Sequence, residues 1–219
     1  MKQLQSKLIE YYSPVFFFIF FSLISTLLSF LHNEFLSTDE LFYNNYSEKY
    51  DYDTIEDMAR LISKIELVIY FITPILYFFK FVIVAIVLNI GDILNDYKIG
   101  FRRLFQVAMI AETVFFIPKL IKLFWFLLFH EAQTMQEFGD FNFLSILSMF
   151  NKDEIYPWLI YPFSIANIFE LFYWLFLSFL VFKFSKLDYN KSLGLVLSTY
   201  VVALIVWVVF MMFISLNMS

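Results

Sequence analysis

Between Pro14 and Leu31 the chain runs through eighteen residues without one charged side chain, and four further stretches come close to the same pattern. An apolar run of this length matches the ~20 residues that a helix needs to cross ~30 Å of hydrocarbon. The candidates are 14–31, 66–90, 104–129, 158–182 and 193–215. Inside hydrocarbon no water satisfies the backbone, so each segment must close its own hydrogen bonds as a helix. The expected fold class is therefore all-α: one integral membrane domain over 1–219, a polytopic bundle of about five transmembrane helices.

Composition supports this and excludes much else. The chain is 61% hydrophobic and 23% aromatic, more apolar surface than a soluble domain of this length can hide. Cysteine is absent, which removes disulfides, thiolate metal sites and a Cys nucleophile. No Gly-rich phosphate loop or HExxH stretch occurs, no cofactor is expected, and no basic stripe offers a nucleic-acid surface. The first run follows Lys2 and Lys7 like a secretory leader. It is longer than a leader's apolar core and leads into His32, Asn33 and Glu34 without a small-x-small site, so a retained span is expected.

Basic residues in the short connections set the orientation. Lys98, Arg102 and Arg103 fall between the second and third runs, and Lys183, Lys186 and Lys191 between the fourth and fifth. Lys49, Arg60, Lys64 and Lys152 on the other side are diluted by carboxylates. Lys and Arg mark the cytoplasmic side, which puts the N-terminus inside, the C-terminus outside and the segments 32–64 and 130–157 outside. In the first outer segment, Thr54 and Asp57 have capping-box spacing, so a helix is expected from near Ile55 into the second run, bent at Pro74. The second, "EFGDFNFLSILSMFNKDEIYPW", reads as a short interfacial helix followed by a belt of Tyr156, Trp158 and Tyr161. The cytoplasmic turns share an Asp-Tyr pair, Asp96-Tyr97 and Asp188-Tyr189, which hints at a duplicated hairpin.

"YFFKFVIV", Tyr77 to Val84, puts Lys80 near the middle of the second run. A charge there costs about 2.5–3.5 kcal/mol. The ten residues between Lys80 and the inner end of its run span roughly 15 Å, beyond the reach of a lysine stem. The third run goes the opposite way and carries Glu112 at a matching depth. Glu170 of the fourth lies near the midplane, with Asn167 three residues earlier on the same helical face. Lys80, Glu112, Glu170 and Asn167 thus form an expected intramembrane cluster facing away from lipid. Lys80 pairs with one of the two acids, leaving the other carboxyl protonated, or the groups form an ion path.

Closer to the outer surface, Glu66 and Lys122 are an expected interfacial pair, and Lys119 follows Pro118 with the option of facing a cavity at the kink. His32, Glu34, His130 and Glu131 have metal-ligand chemistry without diagnostic spacing, so no metal site is expected. Asp51, Asp53, Glu56 and Asp57 suit a solvated helix start. Ser22, Ser25 and Ser29 recur at helical spacing and suit close helix packing.

Five spans with tight basic turns after the second and fourth, and the stretch "KIGFRRLFQVAMIAETVFFIP" from Lys98 to Pro118, resemble Yip1-like membrane proteins over about 65–215. The chain departs from the eukaryotic members in lacking their long cytosolic N-terminal region. The resemblance implies a membrane adaptor without catalytic residues. The reading that follows is a non-enzymatic accessory, adaptor or assembly subunit of a larger membrane complex, with the lipid bilayer and a protein as partners. The second reading is a small transporter of a solute, ion or proton through Lys80, Glu112 and Glu170. Phe-rich, Cys-free usage and short loops lean toward a bacterial inner membrane.

Overall fold

The computed structural model describes residues 13–36, 42–43, 46–47, 49–130, 141, 143–151 and 154–218. Lys2, Lys7, Glu131 and Lys152 lie outside them. Among the described residues the chain is all-helical, apart from one isolated antiparallel bridge, Ser145 with Asn167. Four helical stretches are long and apolar enough to cross a membrane: Pro14–Phe35, Tyr52–Leu94, Phe101–Leu128 and Tyr189–Asn217. This is an integral membrane protein.

Helix α1 covers Pro14–Leu36 and α2 covers Tyr52–Leu94 without interruption. At ~1.5 Å per residue, α2 is about 65 Å long, twice the ~30 Å hydrocarbon thickness. Its first turns are accordingly polar, with an Arg60–Glu56 ion pair at 2.7 Å. The helix starts earlier than the Thr54 spacing predicts. The Asp51 carbonyl accepts from Ile55 N, and Thr54 lies inside the first turn with its hydroxyl donating to the Asp51 carboxylate.

The third span changes its winding along its length. α3 (Phe101–Ala111) passes into a 3-10 turn over Glu112–Phe115 and then α4 (Phe116–Leu128). Pro118 explains the tightening, because it has no N–H to give and its ring crowds the carbonyl one turn back.

The expected span at 158–182 is not one helix. It divides into α5 (Pro157–Ile165) and α6 (Ile168–Phe184), with Ala166 and Asn167 in non-helical backbone between them. The segment expected to lie as an interfacial helix instead contributes a 3-10 turn at Ile146–Met149, preceded by a turn at Leu144 (φ 58°) and by Ser145 in extended backbone. This stretch satisfies the break: Ile146 N donates to Ala166 O at 2.9 Å and Ile168 N to Leu144 O at 3.1 Å. An irregular backbone in an apolar surrounding is tolerated only when its polar groups are answered in this way. The last span comprises α7 (Tyr189–Val196), a π-helical turn (Leu197–Val201) and α8 (Val202–Met218).

Contacts group the chain into two units. The first is Met1–Phe18, Phe79–Phe115 and Asn142–Ser219. Its core is assembled from the end of α2 with α3, α6 and α7. In α3, Leu104, Val107, Ala108 and Ala111 are buried at the i, i+3, i+4, i+7 spacing of one helix face. Gly91 in α2 lets that helix approach the last span, for a Cβ there would lie 2.4 Å from Thr199 Cγ2 and 2.5 Å from Leu195 Cδ1. The second unit is Ile19–Phe78 and Phe116–Phe141. Phe21 meets Tyr77 edge-on at 5.0 Å and stacks on Phe116 at 4.8 Å, while Asn33 donates to Tyr70 OH at 2.9 Å. Ser22 and Ser25 are buried there, consistent with a packing role, and Ser29 donates to Ser25 O at 3.0 Å.

The two basic turns hold Lys98, Arg102, Arg103, Lys183, Lys186 and Lys191, all exposed, but they are built differently. In the first, Asp96 and Lys98 have φ of 51° and 60°, and Asp96 is paired with Lys98 at 3.4 Å. In the second, Asp188 caps α7 by accepting from Lys191 N at 2.8 Å. The shared Asp-Tyr pair therefore occupies unlike positions. For the Gly91 contact, Gly91→Ala is expected to lower stability in detergent by about 1–3 kcal/mol through overpacking. Adding Thr199→Ser, which removes the opposing methyl, is expected to recover part of it. Thermal unfolding in which Gly91→Ala matches the native chain would contradict the close approach.

Candidate functional site

Lys80, from α2, and Glu112, at the first residue of the 3-10 turn, form an ion pair in which Nζ donates to Oε1. Of the two acids left open by spacing, Glu112 is the partner. The tightened turn before Pro118 presents this carboxylate, which is only 2% exposed. The ammonium also lies 4.7 Å from the Phe115 ring centroid, where the aromatic face adds attraction in a low-dielectric site. Lys80 does not face wholly inward as expected: its side chain is 45% exposed. The stem lies on the helix surface among apolar neighbours while the charged head turns to Glu112, the division usual for a long amphipathic side chain.

Glu170 is held differently. It lies in the first turn of α6, 7% exposed, and its Oε1 accepts from Trp174 Nε1 at 2.8 Å and from Tyr200 OH at 2.9 Å. Tyr200 comes from the π-helical turn, whose extra residue per turn rotates it toward the carboxylate. Asn167 is not a further member of one continuous helical face. It is the N-cap of α6, accepting from Glu170 N at 2.9 Å while its amide donates to Ser164 O and Ile165 O. The sequence signal was present, since Asn167 and Glu170 have the same cap-plus-three spacing that marks a helix start. Between the two acids stands Tyr173, fully buried, its ring 5.0 Å from Phe115 and 5.2 Å from Tyr200. Its hydroxyl makes no hydrogen bond among the described residues and lies within electrostatic range of both carboxylates. Lys80 is likewise within range of Glu170.

Asp92 was overlooked. It is 4% exposed, and its two oxygens accept from Ile99 N and Gly100 N, each at 2.9 Å. Gly100 is the N-cap of α3 at φ 88°, a region that suits glycine, so Asp92 fastens the turn that starts the third span. The signal was its place one residue beyond Gly91, at the end of an apolar run.

In the second unit, no ion pair joins Glu66 to Lys122, contrary to expectation, and Glu66 is half-buried. Lys122 and Lys119 instead lie within electrostatic range of His32. Lys119 donates to Tyr77 OH at 2.9 Å, 5.6 Å from that ring's centroid. Among the described residues no three His, Asp or Glu side chains gather as a metal site.

An apolar crevice of about 710 Å3 opens at the α5–α6 break. Leu144, Ile165, Trp174, Leu204 and Val208 line it, and Glu170 is the one ionisable residue on its wall. No family model, no curated protein and no solved structure matches the chain.

Removing Lys80 leaves the buried Glu112 carboxyl without its ammonium, at a cost on the order of 3 kcal/mol. Lys80→Met is expected to lose that much in detergent unfolding, and Lys80→Met with Glu112→Gln to regain more than half. Additive losses would show that the two side chains do not interact.

Proposed function

We propose that the chain is a non-enzymatic, multi-pass membrane protein that serves as an accessory, adaptor or assembly subunit of a larger membrane complex. The observation that supports this is how the intramembrane charges are used. Lys80 is taken by Glu112, Glu170 by Trp174 and Tyr200, and both acids are packed among buried side chains. Groups committed to neighbours in a dry surrounding hold helices together, whereas a conduction path needs them hydrated and free to exchange partners. The outer segments provide the docking surface in this reading. Tyr43, Tyr50 and Tyr52 are exposed there, with rings of 43 and 52 at 5.7 Å. The Yip1-like resemblance points to the same adaptor class. This reading puts the basic turns on the cytoplasmic side of a bacterial inner membrane, with the C-terminus outside.

A transport reading draws on a different observation. A helix break and a π-helical turn meet at one carboxylate, Glu170, and irregular helices of this kind build the midplane sites of many transporters.

Reconstitution separates the two. The purified protein in liposomes is expected to leave a proton or sodium gradient intact, and mild-detergent extracts are expected to carry it in a stoichiometric complex. Gradient loss abolished by Glu112→Gln or Glu170→Gln, from a protein that purifies alone, would overturn the accessory role.

A further inference from the structure

The crevice at the helix break has apolar walls and one ionisable group. That group is Glu170, more than nine-tenths buried, and both of its hydrogen bonds fall on Oε1. Its second oxygen, Oε2, accepts none among the described residues. Trp174 N–H and Tyr200 O–H thus serve one oxygen of the carboxyl and leave the other to a further donor. No ammonium or guanidinium of the described residues forms an ion pair with Glu170. Lys80 is opposed by Glu112 at close contact, and Asp92 is turned to the backbone of residues 99 and 100. Of the two acids in the cluster, Glu112 has an ammonium in contact and Glu170 has none among the described residues. A ligand that completes the site supplies a cation with an N–H donor at Oε2 and fills a volume far larger than an inorganic ion with apolar matter.

We propose that the crevice between α5, α6 and α8 binds a single-chain amphiphile with a primary ammonium head, the head on Glu170 and the chain along Leu204, Ile205 and Val208. The volume of about 710 Å3 is within the range of small-molecule sites, ~300–1,000 Å3, and admits a long alkyl chain. Entry is lateral, from the bilayer. The break makes the site available: in an unbroken helix, residues 166–168 would close their hydrogen bonds along the axis, whereas here Leu144 and Ile146 take them and wall one side. The inference does not rest on the accessory role, because ligand binding is measured on the isolated protein and partner recovery is not.

The test uses the full chain in phosphatidylcholine nanodiscs, titrated with hexadecylamine, hexadecyltrimethylammonium, hexadecanol or palmitate. Thermal stability and tryptophan fluorescence are read, with Trp174→Phe locating the fluorescence signal. Hexadecylamine is expected to bind about tenfold or more tighter than the other three, the difference made by a charge-assisted hydrogen bond. Glu170→Gln is expected to erase that preference. Val208→Trp, which fills the crevice and leaves the carboxyl in place, is expected to abolish binding. Equal binding of all four amphiphiles would reduce the crevice to a non-selective chain slot and overturn the proposal. So would stabilisation by sodium or potassium chloride with nothing added by the amine. If Glu170→Gln does not fold, the head-group series on the native chain and the Val208→Trp comparison decide the matter.

Discussion

The contact between Lys80 and Glu112 governs how the first unit is put together. An ammonium inside an apolar helix can be inserted at a cost of about 2.5–3.5 kcal/mol, but it cannot be left alone without destabilising the bundle. Answering it requires a carboxylate at one depth and one azimuth, so α2 and the third span are fixed against each other in both. The small residues Ala85, Ala108 and Ala111, all fully buried, line the core where the pair closes. Asp92 adds a second tie near the first basic turn by holding the backbone from which α3 begins.

The departures from regular α-helix in this unit coincide with its ionisable groups. The 3-10 turn carries Glu112, the break after α5 precedes Glu170, and the π-helical turn carries Tyr200. Each departure has a local cause or compensation: Pro118 for the first, the Asn167 cap and residues 144–146 for the second, and Gly91 opposite Thr199 beside the third. Irregular winding rotates side chains away from the regular 100° step, which lets Glu170 collect Trp174 from its own helix and Tyr200 from another. The result is one ion pair, Lys80 with Glu112, and one acid, Glu170, held by two neutral donors.

Much of this was legible in the residues alone. All-α membrane architecture followed from the apolar run lengths, and the Lys80–Glu112 pairing from depth matching across a short turn. Depth is set by residue count and rise, which a sequence displays directly. What was missed depends on contacts between distant segments. Residues 158–182 have the hydropathy of a span, and only the cap spacing of Asn167 and Glu170 signals the break that residues 144–146 complete. Equal height along two helices does not by itself bring side chains to the same face, and no ion pair joins Glu66 to Lys122. Asp92 was hidden for a similar reason: its partners are the backbone of residues 99 and 100, which hydropathy does not mark.

Whether the charged interior is dry is the claim on which the accessory role depends, and the chain has no cysteine to interfere with a direct measurement. Single cysteines at Ala111, next to Glu112, and at Leu177, about two turns along α6 from Glu170, both fully buried, can be probed with a membrane-impermeant, water-soluble maleimide added to both sides of a proteoliposome. The account predicts no labelling at either position in the folded protein and full labelling after unfolding in dodecyl sulfate. Rapid labelling of the folded protein at both positions, with a cysteine at exposed Arg102 as the positive control, would place water among these groups and contradict it.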